Sequence, residues 1–266
     1  MFNSNSLPSP GHVTFVGAGP GAADLITVRG LKALSEAEVV LYDSLVSADL
    51  LENCRDQADL IFVGKRAGQH SAMQAEINDL LVQHASRGLR VVRLKGGDPT
   101  LFGRLGEEIE VLRAAGIPYS IVPGVTAACA AAAAAGISLT QRTVATSAIF
   151  APGHECAGKS DSARIDWAGL AQPNATLCLY MGVRRLAAVA GQLTAHGLPL
   201  DTPVALVSDV SLPTQRIRLG TLADATALSA AAEGYPSLVL IGENVRQIDA
   251  ASAIALAEAT GVSKLD

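Results

Sequence analysis

The sequence predicts an α/β protein of two domains built on mainly parallel sheets, and three observations support that prediction. Short runs of β-branched residues alternate with helical patterns in the first half, as in parallel sheets with crossover helices. The pattern breaks at residues 137–150, and a second series of strands and helices follows. Of the 266 residues, 49% are hydrophobic and 17% charged, which is enough apolar material for two cores. We expect a disordered tail at 1–11, an N-terminal domain at 12–140 and a C-terminal domain at 141–266.

The first half alternates strands and helices in a regular order. A helix is expected from about residue 24 to 37, and another follows Ser71, which has capping-box spacing to Gln74. A third helix begins after Arg104, and the alanine-rich run 125–136 favours a further helix, too short to cross a bilayer. The predicted strands of this half are residues 13–17, 39–43, 60–64, 91–95 and 119–124.

The second half resumes after a polar, glycine-bearing loop expected to be mobile at about 152–165. A helix is predicted through Leu186 and Leu193, and the tail 249–262 is predicted to be helical. The segment QRIRL alternates in polarity, which indicates an antiparallel or edge strand in a mixed sheet. The predicted strands are residues 176–182, 202–210, 215–222 and 235–245.

Charge and cysteine content exclude several classes of function. A formal net charge of −5 gives no electrostatic case for a nucleic acid or an anionic membrane as partner. The polar N-terminus lacks the cationic start and apolar run of a signal peptide, so we expect a cytoplasmic protein. We expect no metal, and we interpret His154-Glu155-Cys156 as a chance run of neighbours. Reduced thiols are expected at the four widely spaced cysteines, Cys54, Cys129, Cys156 and Cys178.

Two glycine loops follow predicted strands and point to different ligands. The loop GAGPG, with Asp43 at the end of the next strand, is close to a dinucleotide fingerprint and would suit NAD. However, Pro20 has no N–H to offer a phosphate. The second loop, GGD, places Asp98 beyond a strand end, where a carboxylate suits a ribose or an ammonium group.

The motifs along the chain resemble those of the tetrapyrrole methylases, in order and approximate spacing, over residues 12–246. They are GAGPG, LYDSLVS, VGKRAG, RLKGGDPTLFGR, VPGVTAA, YMG and TPVALV. The resemblance implies a class III methyltransferase that is a homodimer and holds S-adenosylmethionine in a cleft between two α/β domains, releasing S-adenosylhomocysteine. By motif, it implies cofactor contacts from Pro20, Gly96, Gly97, Asp98, Leu101, Thr126, Ala127, Met181 and, more weakly, Val210.

The motifs are most similar to those of family members that methylate uroporphyrinogen III at two pyrrole carbons to give precorrin-2. That resemblance implies a reduced tetrapyrrole substrate with eight carboxylates, which requires cations at the mouth of the cleft. Arginine suits this task because its planar fork binds a carboxylate through two hydrogen bonds. The candidate anchors are Lys65, Arg66, Arg104, Arg142, Arg184 and Arg185.

The resemblance also implies which residues take part in catalysis. Arg104 and Glu107 are the leading residues for substrate binding and proton removal. Because the pKa of arginine is very high, we assign orientation to Arg104 and the proton to Glu107. Family assignments further imply Asp43 as proton acceptor and Lys65 as proton donor, although Asp43 could instead cap a helix and Lys65 bind a carboxylate.

Alternatives stay open at this point. The same chemistry on a later precorrin or cobalt-precorrin is one, and an NAD-dependent oxidoreductase is another. A protein that keeps the fold but only binds, without turnover, would need a damaged catalytic motif, whereas Arg104 and Glu107 are present. Two departures from the family pattern, Ser44 and Leu105, could reshape the acceptor pocket.

Overall fold

The computed structural model describes residues 11–64, 72–154, 164–232 and 234–249. The chain divides into two compact units, Met1–Thr126 and Ala127–Asp266. The expected tail before residue 11, the capping role of Ser71 and the helix expected beyond residue 249 lie outside the described residues.

The first unit contains a five-stranded parallel sheet, as predicted, in the order β3-β2-β4-β1-β5. At least half of each strand consists of β-branched or leucine residues, and β1, β2 and β4 are buried almost throughout, as expected for parallel strands covered on both faces. The strands are β1 (His12–Gly17), β2 (Val39–Tyr42), β3 (Asp59–Phe62), β4 (Arg90–Lys95) and β5 (Tyr119–Val122).

Helices cover both faces of this sheet, and a hydrophobic cluster fills each side. Phe15 and Leu112 belong to one cluster, and Leu34 and Leu94 to the other. The helix expected from residue 24 is divided, because Thr27 accepts a hydrogen bond from the Gly30 N–H and starts a new helix after a short 3₁₀ turn. The helices are α1 (Val28–Glu36), α2 (Ala48–Leu51), α3 (Ala72–Ser86) and α4 (Leu105–Ala114).

The second unit contains a mixed five-stranded sheet in the order β6-β7-β10-β8-β9. Strands β6 and β7 are parallel, whereas β10 runs antiparallel to both β7 and β8. The QRIRL segment forms the antiparallel edge strand β9, which confirms that prediction. The strands are β6 (Ser147–Pro152), β7 (Ala175–Tyr180), β8 (Pro203–Ser208), β9 (Arg216–Thr221) and β10 (Ser237–Ile241).

The alanine-rich run forms the first helix of the second unit. It packs against β10, and Ala128 and Ala131 are fully buried. The two units therefore divide before this helix, ahead of the domain boundary expected at 140/141. The helices of this unit are α5 (Ala127–Ala134), α6 (Trp167–Leu170), α7 (Leu186–Ala195) and α8 (Ala225–Ala231). Within the described ranges, every helix is too short or too polar to cross a bilayer.

Candidate functional site

The carboxyl edge of the first sheet gathers most of the site residues predicted for that unit. All five strands are parallel, so the segments that follow them begin at the same edge, where open α/β sheets bind ligands. Lys65 and Arg66, predicted just after β3, lie outside the described residues. The predicted residues in the segments after β1, β2, β4 and β5 are Pro20, Asp43, Gly96, Gly97, Asp98, Leu101, Arg104, Glu107 and Thr126.

Three glycine-bearing loops meet at this edge in direct backbone contact. Gly19 and Gly97 exchange two hydrogen bonds, with N···O distances of 2.6 Å and 3.3 Å. A Cβ atom on Gly124 would lie against the carbonyl oxygen of Gly97 and 2.8 Å from the Cα atom of Gly17. Gly97 has a φ of 69°, which glycine adopts without strain. The glycines are therefore required for the loops to pack against one another.

The Asp98 carboxylate joins two of these loops. One oxygen, Oδ1, accepts hydrogen bonds from the Thr100 hydroxyl and, at 2.8 Å, from the Thr100 N–H; Oδ2 accepts from the Gly124 N–H at 2.9 Å. Asp98 therefore also forms a local turn with Thr100. A carboxylate offers about four acceptor positions, so Asp98 can still accept a hydrogen bond from a hydroxyl or an ammonium group.

The strand order disfavours a dinucleotide site. In the dinucleotide-binding fold, the strands that precede the glycine loop and the acidic residue are neighbours. Here β4 lies between β1 and β2, which separates the GAGPG loop from Asp43 by two strand spacings, about 9–10 Å. Asp43 instead accepts hydrogen bonds from the Leu45 N–H at 3.1 Å and the Gly96 N–H at 3.4 Å.

Arg104 and Glu107 form a two-pronged ion pair at the start of α4. The Arg104 Nε donates to Glu107 Oε1 at 2.8 Å, and one terminal nitrogen donates to Oε2 at 2.6 Å. Both side chains are about half exposed, at 46% and 50%, so the pair is open to an incoming ligand. The hydrogen bonds from Arg104 hold the pKa of Glu107 below its ordinary value. While paired in this way, Glu107 is a weak proton acceptor.

A buried charged cluster lies behind this ion pair and was not anticipated from the sequence. We call Arg93, Lys95 and Glu108 the buried cluster. Glu108 Oε1 lies 3.1 Å from Arg93 Nε, and Oε2 lies 2.6 Å from Lys95 Nζ. All three residues are at most 4% exposed. Burial lowers the pKa of Lys95, and the repulsion from Arg93 lowers it further, whereas Glu108 opposes both effects. The available signal was the pair of cations, Arg93 and Lys95, among the apolar residues that follow Arg90 in β4.

Two departures from the family pattern occupy different environments. Leu105 is 9% exposed and packs into the core of the first unit. The Leu105 side chain therefore lies mainly in that core. Ser44 is exposed in the segment that follows β2.

In the second unit, the loops after β7 and β8 contain further predicted site residues. Met181 has a φ of 54° and is 52% exposed, which is inconsistent with a role in core packing alone. Arg184 is exposed in the same loop, whereas Val210, after β8, is buried. Because β7 and β8 both run antiparallel to β10, these two loops lie at the same edge of the sheet.

Tyr180, the first residue of the YMG motif, connects this edge to α5, a role that the sequence does not show. Its hydroxyl oxygen accepts a hydrogen bond from the Ala128 N–H at 3.1 Å, in the first turn of α5. Such N–H groups have no acceptor within the helix itself. Tyr180 therefore holds the start of α5, where Ala127 lies, close to the end of β7, where Met181 follows.

Replacing Tyr180 with Phe is expected to lower the free energy of unfolding by about 1 kcal/mol, because the Ala128 N–H loses its side-chain acceptor. Urea denaturation would measure this as a lower midpoint with an unchanged slope. Tyr235→Phe is the matched control, since Tyr235 is 39% exposed and Phe retains a ring beneath Arg216. An equal midpoint change in both variants would contradict the role given to Tyr180.

Arg142 lies at the other edge of the second sheet. It belongs to a turn that precedes β6, in which the Gln141 N–H donates to Ala145, whereas Arg184 follows β7. Because β6 and β7 are parallel and six residues long, the two arginines are separated by about 17–20 Å of strand. Within this unit, the structure does not bring the two predicted substrate anchors together.

The cysteines described are free thiols. Burial raises the pKa of Cys178 to about 12, so this thiol is unreactive near neutral pH. Glu155 and Cys156 of the His-Glu-Cys run lie outside the described residues. Elsewhere in the described chain, no group of three or more His, Cys, Asp or Glu residues is arranged to hold a metal ion.

Comparison with known families and sequences gives a consistent result. The sequence-family model of the tetrapyrrole (corrin/porphyrin) methylases matches residues 12–226. The siroheme synthase of Actinobacillus pleuropneumoniae serotype 7 is 51% identical over 242 residues, covering 91% of this chain and 49% of that protein. The siroheme synthase of Tolumonas auensis is 52% identical over 233 residues, covering 88% and 49%. This chain thus spans about half the length of the curated relatives that it matches.

Solved structures of similar proteins include several methyltransferases. The uroporphyrin-III C-methyltransferase of Thermus thermophilus is 36% identical, with a TM-score of 0.75 and coverage of 89% of this chain and 99% of that one. The same enzyme complexed with S-adenosylhomocysteine gives a TM-score of 0.74 at 36% identity, covering 89% and 94%. A cobalt precorrin-4 methyltransferase of cobalamin biosynthesis is 31% identical, with a TM-score of 0.75 and coverage of 88% and 95%.

Proposed function

This chain belongs to the tetrapyrrole (corrin/porphyrin) methylase family, and from that premise we propose that it is a uroporphyrinogen-III C-methyltransferase. In this proposal, it transfers methyl groups from S-adenosylmethionine to two pyrrole carbons of uroporphyrinogen III, giving precorrin-2 for sirohaem, cobalamin or haem d1 synthesis. The observation that supports it best is the meeting of three glycine loops around Asp98 at the carboxyl edge of the first sheet. The proposal concerns this chain, not the full length of its siroheme synthase relatives.

The chemistry of that edge fits a cofactor without phosphate groups. Pro20 offers no N–H, the Gly97 N–H already donates to Gly19, and Asp98 contributes negative charge where a phosphate would need positive charge. The same carboxylate suits the ribose hydroxyls or the ammonium group of S-adenosylmethionine. The residues proposed to hold the cofactor are Pro20, Gly96, Gly97, Asp98, Leu101 and Thr126 in the first unit and Ala127, Met181 and Val210 in the second.

The cofactor, when bound, supplies an electrophilic methyl group, and the protein has mainly to align the substrate with it. Arg104 is well suited to bind a substrate carboxylate with the same two-pronged geometry that it now offers Glu107. A substrate carboxylate that took over the guanidinium would weaken its hydrogen bonds to Glu107, and the pKa of Glu107 would rise towards its ordinary value. Glu107 would then become a better acceptor for the proton that the methylated macrocycle must lose.

Further residues have supporting roles in this proposal. Asp43 and Lys65 remain proposed as proton acceptor and donor, and Arg66, Arg142 and Arg184 as carboxylate anchors. Arg184 has more support than Arg142, since it shares an edge of the second sheet with Met181. We also propose a homodimer that acts in the cytoplasm on a small molecule, without a nucleic acid or membrane partner, in keeping with a net charge of −5.

The test is to incubate the purified protein with S-adenosylmethionine and enzymatically prepared uroporphyrinogen III. We expect S-adenosylhomocysteine to form, at two per tetrapyrrole, together with the absorbance of the dimethylated product. Turnover with a precorrin or cobalt-precorrin, but not with uroporphyrinogen III, would favour the alternative acceptor instead. Tight binding of NADH without binding of S-adenosylhomocysteine would overturn the proposal.

A further inference from the structure

The buried cluster connects three segments whose relative positions matter for the proposed reaction. Arg93 and Lys95 are two residues apart on β4, so both side chains lie on the same face of the sheet. Glu108, on the inner side of α4, contacts both of them and is completely buried. A terminal nitrogen of Arg93 also lies 3.9 Å from Asp43, which follows β2. One carboxylate thus attaches α4 to β4, and Arg93 extends the connection to Asp43.

Two members of the cluster, Lys95 and Glu108, are also next to a residue of the proposed site in the chain. Lys95 immediately precedes Gly96, and its carbonyl accepts a hydrogen bond from the Ala18 N–H at 2.8 Å. Glu108 immediately follows Glu107 and therefore lies about 100° away from it around the helix. With Glu108 held against β4, Glu107 is turned outwards to the half-exposed position where it pairs with Arg104.

We propose that Glu108, Arg93 and Lys95 are positioning residues for methyl transfer, which fix the first turn of α4 against the end of β4 from which the 96–98 loop begins. This inference rests on the proposed function. The cluster holds Arg104 and Glu107 at a set distance from the cofactor loop, without touching either reactant.

Charge accounting supports a positioning role over simple stabilisation. The cluster and Asp43 carry two positive and two negative formal charges, so the formal charges of the group cancel. Removing charges from water costs free energy, and well-packed apolar residues often stabilise a core as well as a buried ion pair does. What apolar residues cannot reproduce is the directional hydrogen bonding by which one carboxylate holds two side chains of β4 at fixed distances.

The decisive comparison is between a single and a double substitution. Glu108→Gln leaves the Lys95 ammonium without its carboxylate, so we expect lower thermal stability. We also expect kcat to fall at least about 30-fold, because a small misplacement of the reacting groups slows the reaction strongly. Lys95→Met with Glu108→Gln removes one charge of each sign. In the double variant, we expect Tm to recover towards the wild-type value while kcat remains at least about 10-fold low.

The cofactor side of the site provides a second readout. In both variants, we expect the Kd for S-adenosylhomocysteine to stay within about threefold of the wild-type value, so that the loss lies in kcat. Asn244→Ala is the matched control for destabilisation. Asn244 is buried in the second unit and donates hydrogen bonds to Ser138 and Leu139, so its loss should lower Tm and leave kcat unchanged when assayed well below Tm.

Recovery of kcat together with Tm in the double variant would overturn the inference, because the cluster would then act through stability alone. If Glu108→Gln and the double variant do not fold, the Glu108→Asp variant tests the positioning role instead. This substitution keeps the charge and shortens the side chain by one methylene. A reduced kcat at native Tm supports positioning, and an unchanged kcat overturns it. A wild-type protein without turnover overturns the proposed function and this inference together, whereas active variants beside an active wild type overturn only the inference.

Discussion

Arg104→Ala is expected to abolish turnover while leaving the affinity for S-adenosylhomocysteine largely intact. The variant removes the guanidinium fork that we assign to a substrate carboxylate and leaves Glu107 without its ion pair. The residues assigned to the cofactor are on other segments or earlier in the same loop, so they should remain in place. Loss of an orienting group together with an altered acid–base partner predicts a fall in kcat of at least about 100-fold.

The measurements are single-turnover kinetics and calorimetric titration with S-adenosylhomocysteine. Arg113→Ala, on the same helix, is the control, because Arg113 contacts the Tyr119 ring and hydroxyl on the outer surface. We expect that variant to retain wild-type turnover. Arg104→Lys should recover little activity, since an ammonium group cannot reproduce the planar two-pronged contact. Wild-type rates in Arg104→Ala would refute the role of Arg104.

Gly124→Ala is expected to disrupt the cofactor site itself. The new Cβ would lie against the Gly97 carbonyl and close to the Gly17 Cα, and these are backbone atoms that cannot rotate away. The loop after β5 must therefore move outwards, which stretches the 2.9 Å hydrogen bond from the Gly124 N–H to Asp98. Overpacking of this kind costs about 1–3 kcal/mol of folding stability. We also expect the Kd for S-adenosylhomocysteine to rise more than about tenfold, a loss of about 1.4 kcal/mol.

Thermal unfolding with and without S-adenosylhomocysteine measures both effects, because a ligand that binds the folded protein raises Tm by an amount that grows with the logarithm of the ratio of ligand concentration to Kd. Gly191→Ala is the matched control. Gly191 lies within α7, a Cβ there would meet no atom within 4 Å, and alanine favours a helix interior by about 0.5–1 kcal/mol. An unchanged Tm and unchanged binding in Gly124→Ala would show that the three loops do not depend on this contact.

Local patterns were sufficient for much of the fold. The alternation of apolar runs and helical segments predicted the parallel first sheet, and the polarity of QRIRL predicted the antiparallel edge strand β9. Both signals arise from residues close together in the chain. The division of the helix near Thr27 was missed, because the capping hydrogen bond to Gly30 competes with an apolar pattern that continues through it.

The candidate site, like the fold, was only partly predictable from the sequence. That glycine loops follow β1 and β4 was evident from the sequence, and the family resemblance placed Asp98, Arg104 and Glu107 in one site. The order of the strands was not evident, and it is what separates Asp43 from the GAGPG loop. Nor was the burial of Glu108: its spacing from Leu105 and Leu112 puts it on the apolar face of α4, but a carboxylate is buried there only with cationic partners, and these lie on β4.

By itself, the sequence determined the two-part α/β class, the loops at strand ends and the resemblance to the tetrapyrrole methylases, because turn chemistry and strand periodicity are local properties. Only the tertiary structure decided that Asp98 ties its loop to Gly124, that Glu108 holds Arg93 and Lys95, and that Arg142 and Arg184 lie at opposite edges of the second sheet. The reason is physical. These features depend on contacts between residues 13 or more positions apart, which form only when strand order and helix packing bring them together.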